Sequence, residues 1–145
     1  MVSEIQVLSA LANDKSLALF DTIALEAGDS QNIMKRSRLN RKGYYSRISA
    51  LIKSGLVEKR NGMYYLTSFG EVALEARKLI GSGIKDYWKL KAINSIGLEL
   101  PPRERNQIIA ALIDKQEIKE LLLRKAHDIV TDQQQNQRQK NTHAT

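Results

Sequence analysis

The dipeptide Asn61-Gly62 lies between two short segments, 56–60 and 63–67, that contain the valine, threonine and tyrosines favoured in strands. Asn and Gly accept the positive φ angles of a type I′ turn, and this turn matches the right-handed twist of two antiparallel strands. The sequence therefore predicts a two-stranded β-hairpin near the middle of the chain.

The residues before this hairpin have the apolar spacing of helices, with apolar side chains recurring every three or four positions. Four helices are expected there. Asn40 is a good N-cap for the fourth, which should run to about Ser54 because Gly55 supplies a stop signal.

The residues after the hairpin indicate one long helix and a helical appendage. Gly81-Ser82-Gly83 is either a hinge or a weak point within one long helix. Pro101-Pro102 opens the last helical region. Its apolar stripe loses phase over 114–117, so we expect two helices or one bent helix.

These patterns predict a mainly α fold with a small β-hairpin, divided into three regions. Residues 1–80 form the head domain, and residues 81–130 form a helical extension. Residues 131–145 are polar and rich in Gln, and we expect a disordered tail because they offer almost nothing to bury.

The basic residues are concentrated in one window of this chain, which has 145 residues and a formal net charge of +7. Residues 35–60 hold nine bases and one acid, a net charge of +8, whereas residues 1–34 hold one base and five acids. Such a focused patch is typical of a protein that binds the phosphate backbone of nucleic acid. A solvated basic helix face has the same composition, so charge alone leaves both interpretations open.

Composition also bears on compartment. The chain has no Cys, which excludes disulfides, zinc–thiolate sites and cysteine nucleophiles. No apolar run approaches the roughly 18 residues of a membrane span, and the first residues lack the basic region of a signal peptide. We expect a cytoplasmic, nucleoid-associated protein without a membrane partner.

The fourth helix has one apolar face and one basic face at 100° per residue. Its predicted core face consists of Tyr44, Ile48, Leu51 and Ile52. The opposite side carries Lys42, Ser46, Ser49 and Lys53, flanked by Arg41 and Tyr45 on one edge and Arg47 on the other. No acid occurs between Lys35 and Val57, although solvated helices usually mix Glu with Lys. This favours binding of DNA over simple solvation.

The stretch LNRKGYYSRISALIKSGLVEKRNGMYYLTSFG resembles the recognition helix and wing of winged helix-turn-helix regulators related to the ArsR and MarR families, in an archaeal version. Their motif LS-x-S-x-V-S-x-H-L-x-x-L-x-x-x-G-L-V lies over 39–57 without a gap. The matching residues are Leu39, Ile48, Leu51, Gly55, Leu56 and Val57.

This resemblance covers roughly residues 8–80 and has three departures from the family pattern. Asn40 replaces the capping Ser, Tyr44 replaces the buried Val, and Arg38 stands where the family usually has Gly in the turn between the helices. The resemblance implies a winged helix-turn-helix DNA-binding domain over 1–80 with a C-terminal helical extension.

The expected function is sequence-specific binding of double-stranded DNA by a transcriptional regulator. The recognition helix, about 40–54, would enter the major groove, and the wing, 57–67, would contact the flanking backbone or minor groove. The predicted DNA-binding residues are Arg38, Asn40, Arg41, Lys42, Tyr45, Ser46, Arg47, Ser49, Lys53, Lys59, Arg60 and Asn61. For Lys35 and Arg36, complementation of the helix dipole is almost as good an explanation as phosphate contact.

The C-terminal helices have three interpretations. They form a homodimer surface, pack as ordinary core, or line an effector pocket with Trp88 as a wall. The residues predicted for a homodimer are Tyr87, Trp88, Ile109, Leu112, Leu121 and Leu122.

Catalysis has little support. His127 has Arg124, Lys125 and Asp128 as neighbours and is expected to face solvent, and His143 lies in the tail. No triad, phosphate loop or metal-ligand spacing occurs, so we predict no catalytic residues, no metal and no cofactor. The alternative function is a winged-helix protein-interaction module, or an architectural chromatin- or RNA-binding module of the transcription machinery.

Overall fold

The computed structural model describes residues 1–97 and 99–142, and the side chains of all of these except 97 and 125–133. The helices before the hairpin are α1 Glu4–Leu11, α2 Asp14–Leu25, α3 Ser30–Ser37 and α4 Arg41–Lys53. The hairpin consists of β1 Val57–Arg60 and β2 Met63–Leu66. The helices after it are α5 Ser68–Lys85, α6 Tyr87–Gly97, α7 Pro102–Leu112 and α8 Gln116–Thr142. The described residues are thus mainly α-helical with one small antiparallel hairpin, which confirms the predicted fold class at this coarse level.

The helices before the hairpin begin at side-chain caps. Ser3, Asn13, Asp29 and Asn40 each accept a hydrogen bond from the backbone N–H three residues later. These bonds satisfy amide groups that a helix end otherwise leaves without a partner. Short polar residues in the sequence therefore fix where these helices start.

The hairpin has the predicted turn. Asn61 and Gly62 have φ angles of 52° and 77°, as a type I′ turn requires. The register pairs Val57 with Leu66 and Arg60 with Met63. Tyr64 extends this pairing, because its N–H donates to the Gly28 carbonyl over 2.8 Å and forms an isolated bridge to the segment between α2 and α3.

The chain divides into two compact units, Met1–Arg77 and Lys78–Thr145. The division lies within α5, which continues as helix through Gly81-Ser82-Gly83 to Lys85. These glycines therefore lie within one long helix and do not form a hinge between two helices.

The first unit has a core built from the buried faces of α2, α3 and α4 together with the hairpin. Its fully buried side chains include Phe20, Ile33, Tyr44, Leu51 and Leu56. Burial of these apolar surfaces is the main favourable term in the folding of this unit.

The second unit has its own smaller core, formed by Ile93, Ile109, Ile113 and Ile118. Residues 113–115 are not helical and separate α7 from α8. The loss of apolar phase in the sequence therefore marks the boundary between two helices. Ile109 is completely buried there, which makes the prediction of a dimer-surface role for this residue wrong. Its side chain is used for packing within the unit.

The other predicted dimer residues differ in exposure. Leu112 and Leu122 are half-buried against the second core. In contrast, Tyr87, Trp88 and Leu121 are 56%, 74% and 50% exposed. Tyr87 and Trp88 therefore do not belong to the core of the unit.

A disordered tail is predicted over 131–145, and in the structure α8 continues as helix to Thr142. Residues 143–145 lie outside the described part. The side chains of 134–142 are exposed, so packing does not explain this helix. Gln, Arg and Lys have high intrinsic helix propensity, and the stretch contains neither Gly nor Pro.

Candidate nucleic-acid interface

The basic helix α4 has the two faces that its sequence predicts, with one exception. Tyr44, Ile48 and Leu51 are buried in the first core. Ile52, predicted for the same face, is 40% exposed. It lies one residue beyond Leu51 and so is rotated toward the edge of the buried face.

The opposite face of α4 is open to solvent. Ser49 and Arg47 are half-buried. The predicted site residues that are exposed on this helix and at its start are Asn40, Arg41, Lys42, Tyr45, Ser46 and Lys53. Small hydroxyls thus lie between long cationic side chains, as the sequence predicts.

The cations of this region are not neutralised by carboxylates. Within the described part of the chain, none of Arg38, Arg41, Lys42, Arg47 and Lys53 makes a salt bridge. The Arg41 guanidinium lies 5.9 Å from the ring centroid of Tyr45, an exposed cation–π contact. The region therefore carries an uncompensated positive charge, which is suited to an anionic ligand.

The turn before α4 contains a conformation that is unusual for its residue type. Arg38 has φ 56° and ψ 32°, the left-handed region that favours glycine, and its side chain is exposed. The turn therefore holds a cation in a backbone conformation that glycine adopts at lower cost.

The hairpin places three predicted site residues in solvent, and two of them have partners. Arg60 Nε lies 2.9 Å from Glu58 Oε1, and its guanidinium lies 5.1 Å from the Tyr65 ring centroid. Lys59 Nζ lies 5.5 Å from the centroid of Tyr64. Asn61 is exposed at the turn. Since Arg60 is paired with a carboxylate, Lys59 supplies more of the net positive charge at this tip.

Tyrosine rings connect the basic helix to the hairpin. The ring of Tyr44 lies edge-on to those of Tyr45 and Tyr64, with centroids 5.1 and 6.4 Å away. Its hydroxyl donates to Ser30 Oγ over 3.2 Å. Burial raises the pKa of Tyr44 to about 12, because the ionised form would lose its hydration. This neutral ring joins α3, α4 and β2 in one packed group.

Arg36 has a different role from the cations on α4. Its Nη2 donates to the Glu26 carbonyl over 2.7 Å and its Nη1 to the Thr22 carbonyl over 3.2 Å. Its Nε donates to Asn32 Oδ1 over 2.6 Å. Arg36 therefore caps the C-terminal end of α2, whereas Lys35 beside it is exposed.

Sequence reasoning missed Gly43, a half-buried glycine inside α4. Its N–H donates to the Asn40 side chain over 2.7 Å, and its carbonyl accepts from Arg47 Nη1 over 3.0 Å. The available signal was the residue type itself, because glycine in the interior of a helix is unfavourable and usually has a local reason.

Other kinds of site have little support among the described residues. No group of three or more His, Cys, Asp or Glu side chains there could hold a metal ion. An apolar groove of about 440 Å³ lies between the N-terminal residues, α1 and Phe69, and Glu4 is its one charged lining residue. No helix among the described residues is both long and apolar enough to cross a membrane. The side chain of His127 and the whole of His143 lie outside the described residues.

Comparison with protein-family models, with curated proteins and with solved structures finds no match to this chain. Functional inference therefore depends on its own residues and their geometry.

Proposed function

We propose that this chain is a winged helix-turn-helix transcriptional regulator that binds double-stranded DNA in a sequence-specific manner. In this proposal α4 is the recognition helix and enters the major groove. The hairpin is the wing and contacts the flanking backbone or the minor groove. The observation that carries the proposal is the solvent-facing side of α4, where cations without carboxylate partners surround small hydroxyls.

The chemistry of that face supports contact with both phosphates and bases. A major groove about 12 Å wide admits one α-helix. The short side chains of Ser46 and Ser49 allow close approach to its floor. Arg41 and Lys42 lie in the first turn of α4, from which long side chains reach guanine edges or phosphates.

The N-terminal end of α4 adds a second attraction for phosphate. Backbone N–H groups point outward from the first turn of a helix and carry partial positive charge. Arg41 and Lys42 occupy that turn, and the first turn contains no acid. The partial charge of the helix end and the full charges of the side chains therefore act in the same direction.

We also propose that two copies associate through Tyr87, Trp88 and Leu121, the exposed members of the predicted dimer set. Exposed aromatic residues side by side are typical of interaction surfaces. A dimer would read two half-sites and so multiply specificity.

The direct test is a titration of duplex DNA with the whole chain at several salt concentrations. Arg41→Ala and Lys42→Ala are each expected to weaken binding by roughly 1–3 kcal/mol without unfolding the protein. The matched control is the double variant Lys15→Ala with Lys115→Ala, which loses the same charge as the double Arg41 and Lys42 variant. Lys15 lies in α2 and Lys115 between α7 and α8, and both are exposed.

Two outcomes of this titration would contradict the proposal in different ways. If the double Arg41 and Lys42 variant binds at low salt as the wild type does, α4 is not at the interface. A steep salt dependence with equal affinity for all sequences would instead indicate the architectural alternative, because phosphate contacts carry no sequence information.

A further inference from the structure

Gly43 is the third residue of α4, in the first turn of the helix. Glycine lowers helix stability relative to alanine, so its presence inside a helix requires a local explanation. The surroundings of Gly43 supply one, because two side chains converge on the position where a Cβ atom would stand.

Both contacts involve residues of the basic face. A Cβ at position 43 would lie 2.9 Å from Asn40 Oδ1 and 3.1 Å from Arg47 Nη1. The first distance is shorter than real Cβ contacts, and the second is tighter than most of them. Both neighbours are ends of side chains, so a methyl group would displace them and leave the helix backbone in place.

Arg47 is held against the helix by this arrangement. Its Nη1 donates to the Gly43 carbonyl over 3.0 Å, four residues back along α4. Its Nε is buried and has no hydrogen-bond partner in the described part of the chain. A guanidinium has five N–H donors, and with Nε buried and one Nη1 donor used, an outside acceptor pair can be met by the remaining donors of Nη1 and Nη2.

We propose that Gly43 is a positioning residue, because it leaves room for the Arg47 guanidinium to lie over the first turn of α4. From there the guanidinium would donate two hydrogen bonds to two acceptors on the edge of one DNA base. The inference rests on the proposed function and names the contact that gives it specificity. Guanine O6 and N7 are the acceptors that match the two-pronged geometry of Arg.

The reason is the entropy of a long side chain. A free arginine loses rotamer freedom when it binds, whereas one already held against the helix has lost part of it beforehand. Releasing Arg47 by adding a methyl group at position 43 should therefore weaken the specific complex by about 2- to 10-fold. Non-specific binding should change little, because a released arginine keeps its charge.

The experiment compares Gly43→Ala with the wild-type chain on two probes. One is a duplex selected by the wild type from a random pool, and the other is a scrambled duplex of the same length and composition. We expect Gly43→Ala to lose about 2- to 10-fold on the selected duplex and less than about 2-fold on the scrambled one. The salt slope should be unchanged, since no charge is removed.

Two further variants make the test specific. Gly81→Ala is the matched control, because Gly81 is also helical and nothing lies within 4 Å of its Cβ position. It should leave both affinities unchanged. In an Arg47→Ala background, the loss of specificity caused by Gly43→Ala should be smaller than in the wild type, because only the contact with Asn40 is then displaced.

The positioning of Arg47 can also be tested in the free protein, by NMR of its side chain without DNA. The Arg47 Nε–H resonance should be sharp and slow to exchange in the wild type, and should lose this protection in Gly43→Ala. If the wild type binds selectively but Gly43→Ala changes neither the affinity ratio nor this resonance, the positioning role is wrong. If the wild type binds no duplex, the proposed function fails, and the assignment of Arg47 to a base edge fails with it.

Discussion

Two residues at the basic face are of a type that is unfavourable for the backbone conformation at their position. Arg38 occupies a left-handed conformation that suits glycine, and Gly43 occupies a helical conformation that suits almost any other residue. Conformational costs of this kind are concentrated at functional sites in proteins. Both lie next to the surface that we propose for DNA, and only Arg38 carries backbone strain there.

Replacement of Arg38 by glycine is expected to stabilise the protein and weaken DNA binding. The left-handed conformation costs a non-glycine residue roughly 1–2 kcal/mol, and the greater freedom of glycine in the unfolded chain offsets part of the gain. Arg38→Gly should therefore raise the free energy of unfolding by about 1 kcal/mol in urea denaturation. Arg38→Ala removes the same charge but retains the strain, so it should bring no gain. Equal stability of the two variants would disprove the strain.

Tyr44 should make stability depend on alkaline pH. Its pKa of about 12 in the folded chain lies above the ordinary value near 10, so stability is fully present below pH 10 and is lost as pH rises toward 12. The loss is about 1.4 kcal/mol per pH unit in that window. Tyr44→Phe cannot ionise, so it escapes this loss.

The comparison of Tyr44→Phe with the wild type isolates that effect from other titrating groups. Near pH 8 the variant should be less stable by about 1 kcal/mol, because it lacks the hydrogen bond to Ser30. Between pH 10 and pH 12 the difference should shrink and then reverse. A constant difference over the whole range in urea unfolding would show that the Tyr44 hydroxyl titrates normally.

At the scale of single elements, the ends of helices could be predicted where a capping residue marks them. Asn40 and Gly55 bracket α4 as expected, and the Asn61-Gly62 turn fixes the hairpin. The end of α8 could not be predicted from apolar periodicity, because residues 134–142 have no apolar side chains and the helix propensity of their Gln, Arg and Lys is only a weak signal. The role of Gly43 was also beyond prediction, since it depends on where the Arg47 side chain folds back.

Arg36 illustrates why the purpose of a cation cannot be read from composition. It is one of the nine bases in the basic window, yet it donates to two carbonyls at the end of α2. Arg36→Ala should lower the free energy of unfolding by about 1–3 kcal/mol, because those carbonyls lose a charged donor. Lys35→Ala, the exposed neighbour, should stay within about 0.5 kcal/mol of the wild type. Equal effects in chemical denaturation would remove the capping role.

At the scale of the whole molecule, two compact units have separate apolar cores, and the candidate interface with DNA lies in the first. The change of units falls within α5, after Arg77, and the boundary expected from the sequence was residue 80. The sequence pattern could not predict which apolar residues of the second unit are buried. Ile109 and Trp88 both fit a helical stripe, and only packing distinguishes the buried one from the exposed one.

The proposed dimer predicts a lower mass in solution when the exposed Trp88 side chain is removed. Trp88→Ala should shift the chain from dimer toward monomer in sedimentation at tens of micromolar, because it deletes the most exposed large ring in the second unit. Leu25→Ala, an exposed apolar residue of the first unit, should leave the mass unchanged. A monomeric wild type at that concentration would dispose of the dimer.

The anchoring of the hairpin has a consequence for redesign. Its base is tied by the bond from Thr67 N–H to the Leu56 carbonyl, and its second strand is bridged to Gly28 at Tyr64, one pair from the turn. Open space surrounds the Gly62 Cβ position. Residues inserted at the turn would lengthen the ribbon without loosening its root. The turn is therefore a place where the proposed wing could be extended with its root kept in place.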